Sequence, residues 1–179
     1  MLIWVTVNTH IWKCDEAMNM DRIAQRLSNP LSIEWKRYEL KSDELHIVES
    51  DFQRFAKEFV DKVARHNPPS PLLILTDSTI DYYNDENRYA NKFIEDLLLE
   101  KNIVAHIDAV GGSGFVAESH NNNHILPRLK HGIAQYTPES ILLMVGWNDI
   151  GLKYAQSAFV KVMNTIESYF DNGIRRVQT

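Results

Sequence analysis

The chain has 179 residues, 44% of them hydrophobic and 24% charged, which suits one globular domain with a sizeable core. A formal net charge of −5 sets up no basic field for nucleic acid or an anionic surface, and the apolar runs are far shorter than a membrane span needs. Cys14 is the only cysteine, so there is no disulfide framework, and MLIWVTVNTHIW lacks the basic start and unbroken apolar core of a signal peptide; the expected setting is reduced and cytoplasmic.

In chain order, Leu2–Val7 reads as a strand. Ala17–Leu27 has helical spacing through Met20, Ile23, Ala24 and Leu27. Ile33–Leu40 reads as a strand with Ile33, Trp35, Tyr38 and Leu40 apolar. Ser50–Arg65 is the clearest helix, with Phe52, Phe55, Ala56, Phe59, Val60, Val63 and Ala64 on one face. The prolines of 66–71 forbid helix and central strand, so this is a loop. Leu72–Leu75 is a short buried strand, Glu86–Leu99 a helix with Tyr89, Ala90, Phe93, Ile94 and Leu97 inward, and Asn102–Ile107 a strand. Pro127–Tyr136 is a shorter helix with proline in its first turn. Ile141–Val145 is a strand, and Tyr154–Phe170 a long helix capped by Asn172-Gly173. Trp4, Trp12 and Trp35 read as packing residues.

Such alternation predicts a single α/β domain over 1–179 with a mainly parallel sheet of five strands in three α/β/α layers. Ligands in these sheets sit beyond the carboxyl ends of the strands. Three such ends carry chemistry. Thr76-Asp77-Ser78 follows Leu75, Gly111-Gly112-Ser113-Gly114 lies shortly after Ile107, and Gly146-Trp147-Asn148-Asp149 follows Val145. Ester hydrolysis needs a nucleophile, a base and donors for the oxyanion. A serine past a strand offers a hydroxyl, a glycine an unobstructed N–H, and an asparagine a side-chain donor. Each alone is more often a helix cap or a turn.

Together, and in this order, they resemble the SGNH (GDSL-type) hydrolases. The Gly-Asp-Ser block reads Thr76-Asp77-Ser78, the oxyanion glycine is matched best by Gly112, and Gly-X-Asn-Asp is matched at every fixed position by Gly146-Trp147-Asn148-Asp149. Thr76 departs from the family glycine, and Thr79 from its frequent leucine. The family's last block, Asp-X-X-His, belongs near the C-terminus, yet no histidine lies beyond His131. The one histidine with aspartate three residues before it is His46, in Asp43-Glu44-Leu45-His46, between a strand and the strongest helix. The resemblance therefore implies a circularly permuted, flavodoxin-like SGNH fold. Residues 1–65 would correspond to the family's C-terminal part, 72–179 to its N-terminal part and 66–71 to the new connection, with 171–177 leading into a strand. Permutation is compatible with termini that lie close together, and triads are indifferent to chain order.

What the resemblance implies is a serine esterase acting on a small-molecule or carbohydrate acyl ester, O-acetyl groups on sugars included. Ser78 would be the nucleophile, His46 the base and Asp43 its orienter. The Ser78 N–H, the Gly112 N–H and the Asn148 amide would form the oxyanion hole, with no metal or organic cofactor. Gly111 and Gly114 are the neighbouring choices for the glycine. Trp147 and His120 are candidate substrate contacts, and Tyr82-Tyr83-Asn84-Asp85 a candidate rim. Two other readings compete: a catalytically inactive SGNH-like or flavodoxin-like binding module, favoured by Thr76, and phosphate or flavin binding at Gly111–Gly114, whose spacing matches neither standard glycine-rich motif. His120 and His124 have the i,i+4 spacing of a zinc pair but lack an evident third ligand.

Overall fold

The computed structural model describes residues 1–8, 29–34, 37–43, 46–116, 124–145, 147–149 and 155–177. The helix expected over 17–27 lies outside them, as do Trp12, Cys14, Trp35, His120 and Gly146.

Five strands form the sheet: β1 (Leu2–Asn8), β2 (Asn29–Glu34), β3 (Leu72–Thr76), β4 (Ala105–Ala109) and β5 (Ser140–Met144). Their order is β2-β1-β5-β3-β4, and every neighbouring pair is parallel. Thr76, the last residue of β3, sits opposite Ala109 on one side and Met144 on the other, so three carboxyl ends finish in register. The α/β class and parallel sheet are as the alternation predicted. β3 and β5 are buried at every position, as strands covered on both faces must be. Leu72 and Ile74 join one core cluster, and Leu73 and Leu75 another. Edge strand β4 alternates, burying Ala105, Ile107 and Ala109.

The first core is covered by α1 (Glu49–Arg65), whose Phe52, Phe55, Ala56, Phe59, Val60 and Val63 are buried. The short α2 (Ser78–Asp81) and α3 (Tyr89–Glu100) share that face. The second core lies under α4 (Ile125–Tyr136) and α5 (Ala155–Val177). Among the described residues no helix is long and apolar enough to cross a membrane.

Several boundaries differ from expectation. The second strand runs over Asn29–Glu34, not 33–40, because those residues pair with β1; Pro30 is tolerated there because β2 is an edge. Leu40 instead bridges Ile47 in antiparallel sense. Helix α3 starts late, at Tyr89, because Arg88 has φ 54° and the Asp85 carboxylate accepts from the N–H groups of Asn87 and Tyr89. Its inward face holds Asn91 and Leu98, whereas Tyr89 is exposed. Burial of Asn91 is compensated by hydrogen bonds to the Ile107 carbonyl and to Asn84. β4 begins only at Ala105, since Asn102 (φ 62°) and Ile103, whose N–H donates to the Leu98 carbonyl, still close the helix. Helix α4 begins at Ile125, two residues before Pro127, whose position in the first turn needs no N–H. Asn172-Gly173 does not cap α5; the helix runs through it to Val177, so 171–177 is helical and not a lead into a strand. A glycine inside a helix costs only about 1 kcal/mol against alanine, too little to stop it.

Candidate active site

Asp77 directly follows β3 and caps α2, its Oδ1 accepting from Thr79 N (2.9 Å) and Thr79 Oγ1 (2.6 Å). Thr79, one of the two departures from the family block, thus becomes a ligand of the capping aspartate. Ser78 follows as the first helical residue and is partly exposed. Asp77 itself is buried, its Oδ2 has no partner among the described residues, and burial pushes its carboxyl up to about 6. Thr76, the other departure, is fully buried, and its Oγ1 has no partner among the described residues.

Residues 39–43 and 46–48 pair as the two antiparallel arms of a hairpin, joined by Lys41 N–H to the His46 carbonyl (2.7 Å) and Val48 N–H to the Glu39 carbonyl (2.9 Å). Asp43 is the last described residue of the first arm. Oδ1 accepts from the His46 N–H (3.0 Å), and Oδ2 lies 2.7 Å from His46 Nδ1. A carboxylate on Nδ1 favours the tautomer with its proton there, leaving Nε2 as the acceptor. The hairpin is fastened to the segment after Ser78: the His46 ring stacks on Tyr82 with centroids 4.2 Å apart, and Tyr83 Oη donates to the Ile47 carbonyl (2.8 Å). Lys41 Nζ donates to Tyr82 Oη at 2.9 Å. Asp43 and His46 are therefore paired, and His46 is packed on the turn that Ser78 begins. The imidazole makes no hydrogen bond to Ser78 Oγ among the described residues; in ligand-free sites such bonds are often long.

The glycine loop explains which N–H is free. The Gly111 N–H is taken by Asp81 Oδ2 (2.7 Å). Gly114 lies against Asp149, where an added Cβ would meet both carboxylate oxygens at 2.6 Å. Gly112 has φ 71°, a conformation that favours glycine, and its N–H has no partner among the described residues. After β5, Trp147–Asp149 make one 3₁₀ turn. Asn148 Nδ2 donates to the Ser113 carbonyl (2.8 Å), which occupies one of its two amide hydrogens. The buried Asp149 carboxylate accepts from Phe115 N (2.7 Å) and Val116 N (2.9 Å), and burial raises its pKa.

Arg128 and the structural role of Asp149 were not expected from the sequence. Arg128 stands on the inward face of α4, among Ile125, Leu129 and Gly132, and reaches β3, β4 and the glycine loop. The available signal was a charge at core-facing helical spacing. Tyr82, a candidate rim residue, is exposed and stacks on the His46 imidazole. A cavity of about 130 Å³ lined by Phe115, His124, Leu126, Ala158 and Lys161 lies by the second core, and Ser78, His46 and Asn148 do not line it. Among the described residues no group of three or more His, Cys, Asp or Glu side chains is arranged to hold a metal ion. Comparison with known proteins finds no matching family model, curated protein or solved structure.

Proposed function

We propose that the chain is a serine esterase of SGNH type with rotated chain order, acting on small acyl esters in a reduced, intracellular setting, carbohydrate O-acetyl groups among them. The observation that carries this reading is the 2.7 Å Asp43–His46 contact on a hairpin stacked against the helix that Ser78 starts. The sheet supports the rotation. Counted from β3 through β4, β5, β1 and β2, the strand order becomes 2-1-3-4-5, the flavodoxin-like doubly wound order. Chain connectivity supports it too: the Met1 amine donates to the Glu139 carbonyl (2.8 Å) while Tyr169, late in α5, donates to the Pro138 carbonyl (2.9 Å). Met1 and Tyr169 thus meet the same segment, the two residues just before β5.

In this mechanism Ser78 Oγ attacks the acyl carbonyl as its proton passes to His46 Nε2. Asp43 holds Nδ1–H and stabilises the imidazolium. The negative oxygen is received by the N–H groups of Ser78 and Gly112 and by the second amide hydrogen of Asn148, each such donor being worth about 10²–10³ in rate. His46 returns the proton to the departing alcohol, and water then releases the acid by the same steps in reverse. A second reading, a non-catalytic binding module on this fold, is favoured by the missing Ser78–His46 hydrogen bond and by the buried Thr76. Hydrolysis of p-nitrophenyl acetate by wild type, Ser78→Ala and His46→Ala decides between them. Activity lost in both folded variants is the expected result. Absence of wild-type hydrolysis together with absence of fluorophosphonate labelling would leave the binding module.

A further inference from the structure

Arg128 is the fourth residue of α4, and its side chain is only 12% exposed. Nε donates to Asp108 Oδ2 (3.0 Å), Nη1 to Ser113 Oγ (2.5 Å), and Nη2 to the carbonyls of Thr76 (3.1 Å) and Asp108. One planar cation therefore fastens the end of β3, the end of β4 and the glycine loop. Lysine has the charge but not the fork, so it cannot replace this set of bonds.

Ser113 is held from two directions. Its hydroxyl oxygen accepts from Arg128, and its carbonyl accepts from Asn148 Nδ2. Gly112 immediately precedes it. Movement of Ser113 would therefore displace both proposed oxyanion donors that lie outside the nucleophile's own residue. We propose that Arg128 is the positioning residue of the oxyanion hole, fixing Ser113 so that the Gly112 N–H and the Asn148 amide converge; this rests on the hydrolase reading above. Arg128 touches no reacting atom. It acts through the loop.

The test compares the full chain with Arg128→Lys, Asn148→Ala and the double variant. Two readouts are taken: kcat and KM on p-nitrophenyl acetate, and the Asn148 side-chain amide signals in proton–nitrogen NMR, assigned by their loss in Asn148→Ala. Misplaced donors should lower kcat of Arg128→Lys by about 10- to 100-fold with KM within about twofold. The double variant should be no slower than Asn148→Ala alone, because the arginine works through the donor already removed. The Asn148 amide signals should shift in Arg128→Lys. Fully additive losses, or unmoved amide signals, overturn the proposal. Should Arg128→Lys fail to fold, Ser113→Ala removes only the hydroxyl link and is read the same way. Should wild type prove inert to both ester and fluorophosphonate, the hydrolase reading falls separately. The amide signals then decide alone whether Arg128 positions Asn148.

Discussion

Asp77 offers a stability test that is independent of any substrate. Its carboxylate is buried, one oxygen bonds Thr79 twice, and the other has no partner among the described residues. Burial disfavours the charged form and lifts the group from an ordinary 3.8 to about 6; the Thr79 bonds, Arg128 and His46 oppose the rise without cancelling it. Between these two values the folded chain holds a proton that the unfolded chain has lost. Stability from this group is therefore greatest at acid pH and declines as pH rises from about 4 to above 6. The gap, at about 1.4 kcal/mol per tenfold change in proton affinity, comes to about 3 kcal/mol. Asp77→Asn keeps an oxygen for Thr79 and removes the titration. Urea unfolding of both proteins from pH 4 to pH 8 should show the variant gaining about 2 kcal/mol on the wild type, since part of the gap already falls below pH 4. Carboxylates held low, such as Asp51 beside Arg54 and Asp61 beside Lys101, tilt both curves equally and cancel in the difference. Parallel curves for the two proteins would show that Asp77 is not buried as an uncompensated carboxylate, and the account of α2 capping would be wrong.

Other consequences are open to direct measurement. Asn148→Ala should lower kcat on p-nitrophenyl acetate about 10²- to 10³-fold; a wild-type rate would remove Asn148 from the oxyanion hole. Gly114→Ala forces a methyl to within 2.6 Å of the Asp149 carboxylate, which must release Phe115 N and Val116 N. A loss of about 2–4 kcal/mol in chemical denaturation is expected, and an unchanged midpoint would contradict the close approach. Tyr82→Ala removes the ring under His46 and should reduce kcat about tenfold through imidazole misplacement. Tyr82→Phe should retain most of it, and equal losses in the two variants would argue that the hydroxyl, not the stack, matters.

Much of the architecture was legible because local periodicity and burial agree. Phe52, Phe55, Phe59 and Val63 mark one face at helical spacing, and that face is the one buried. The uninterrupted apolar runs of β3 and β5 announce strands covered on both sides. What local pattern could not supply was the end of each element, where one tertiary contact overrides propensity. Arg88 in a left-handed conformation delays α3, and Asn172-Gly173 stays helical although its residues favour a cap. Burial of Asn91 beside Ala90, Ile94 and Leu98 has the same origin, because the Ile107 carbonyl and Asn84 satisfy its amide.

The site divides along the same line. Asp43 and His46 are three residues apart and their contact is local, so the spacing, set between a strand and the strongest helix, was enough to single the pair out. The contact that carries this pair to the Ser78 segment is made by Tyr82 and Tyr83, which look in sequence like an ordinary polar turn. Arg128 was invisible for a sharper reason. Its partners are two main-chain carbonyls, one hydroxyl and one carboxylate, spread over three strand-end segments. None of these has a sequence signature, and they meet only once the parallel sheet sets β3 and β4 in register. A glycine loop that follows one strand and an asparagine that follows another need a common reference to act on one oxygen. A buried guanidinium, with fixed geometry and several donors, is the kind of group that supplies it. A motif reading offers candidate donors, whereas the group proposed to aim them is visible only in the folded chain.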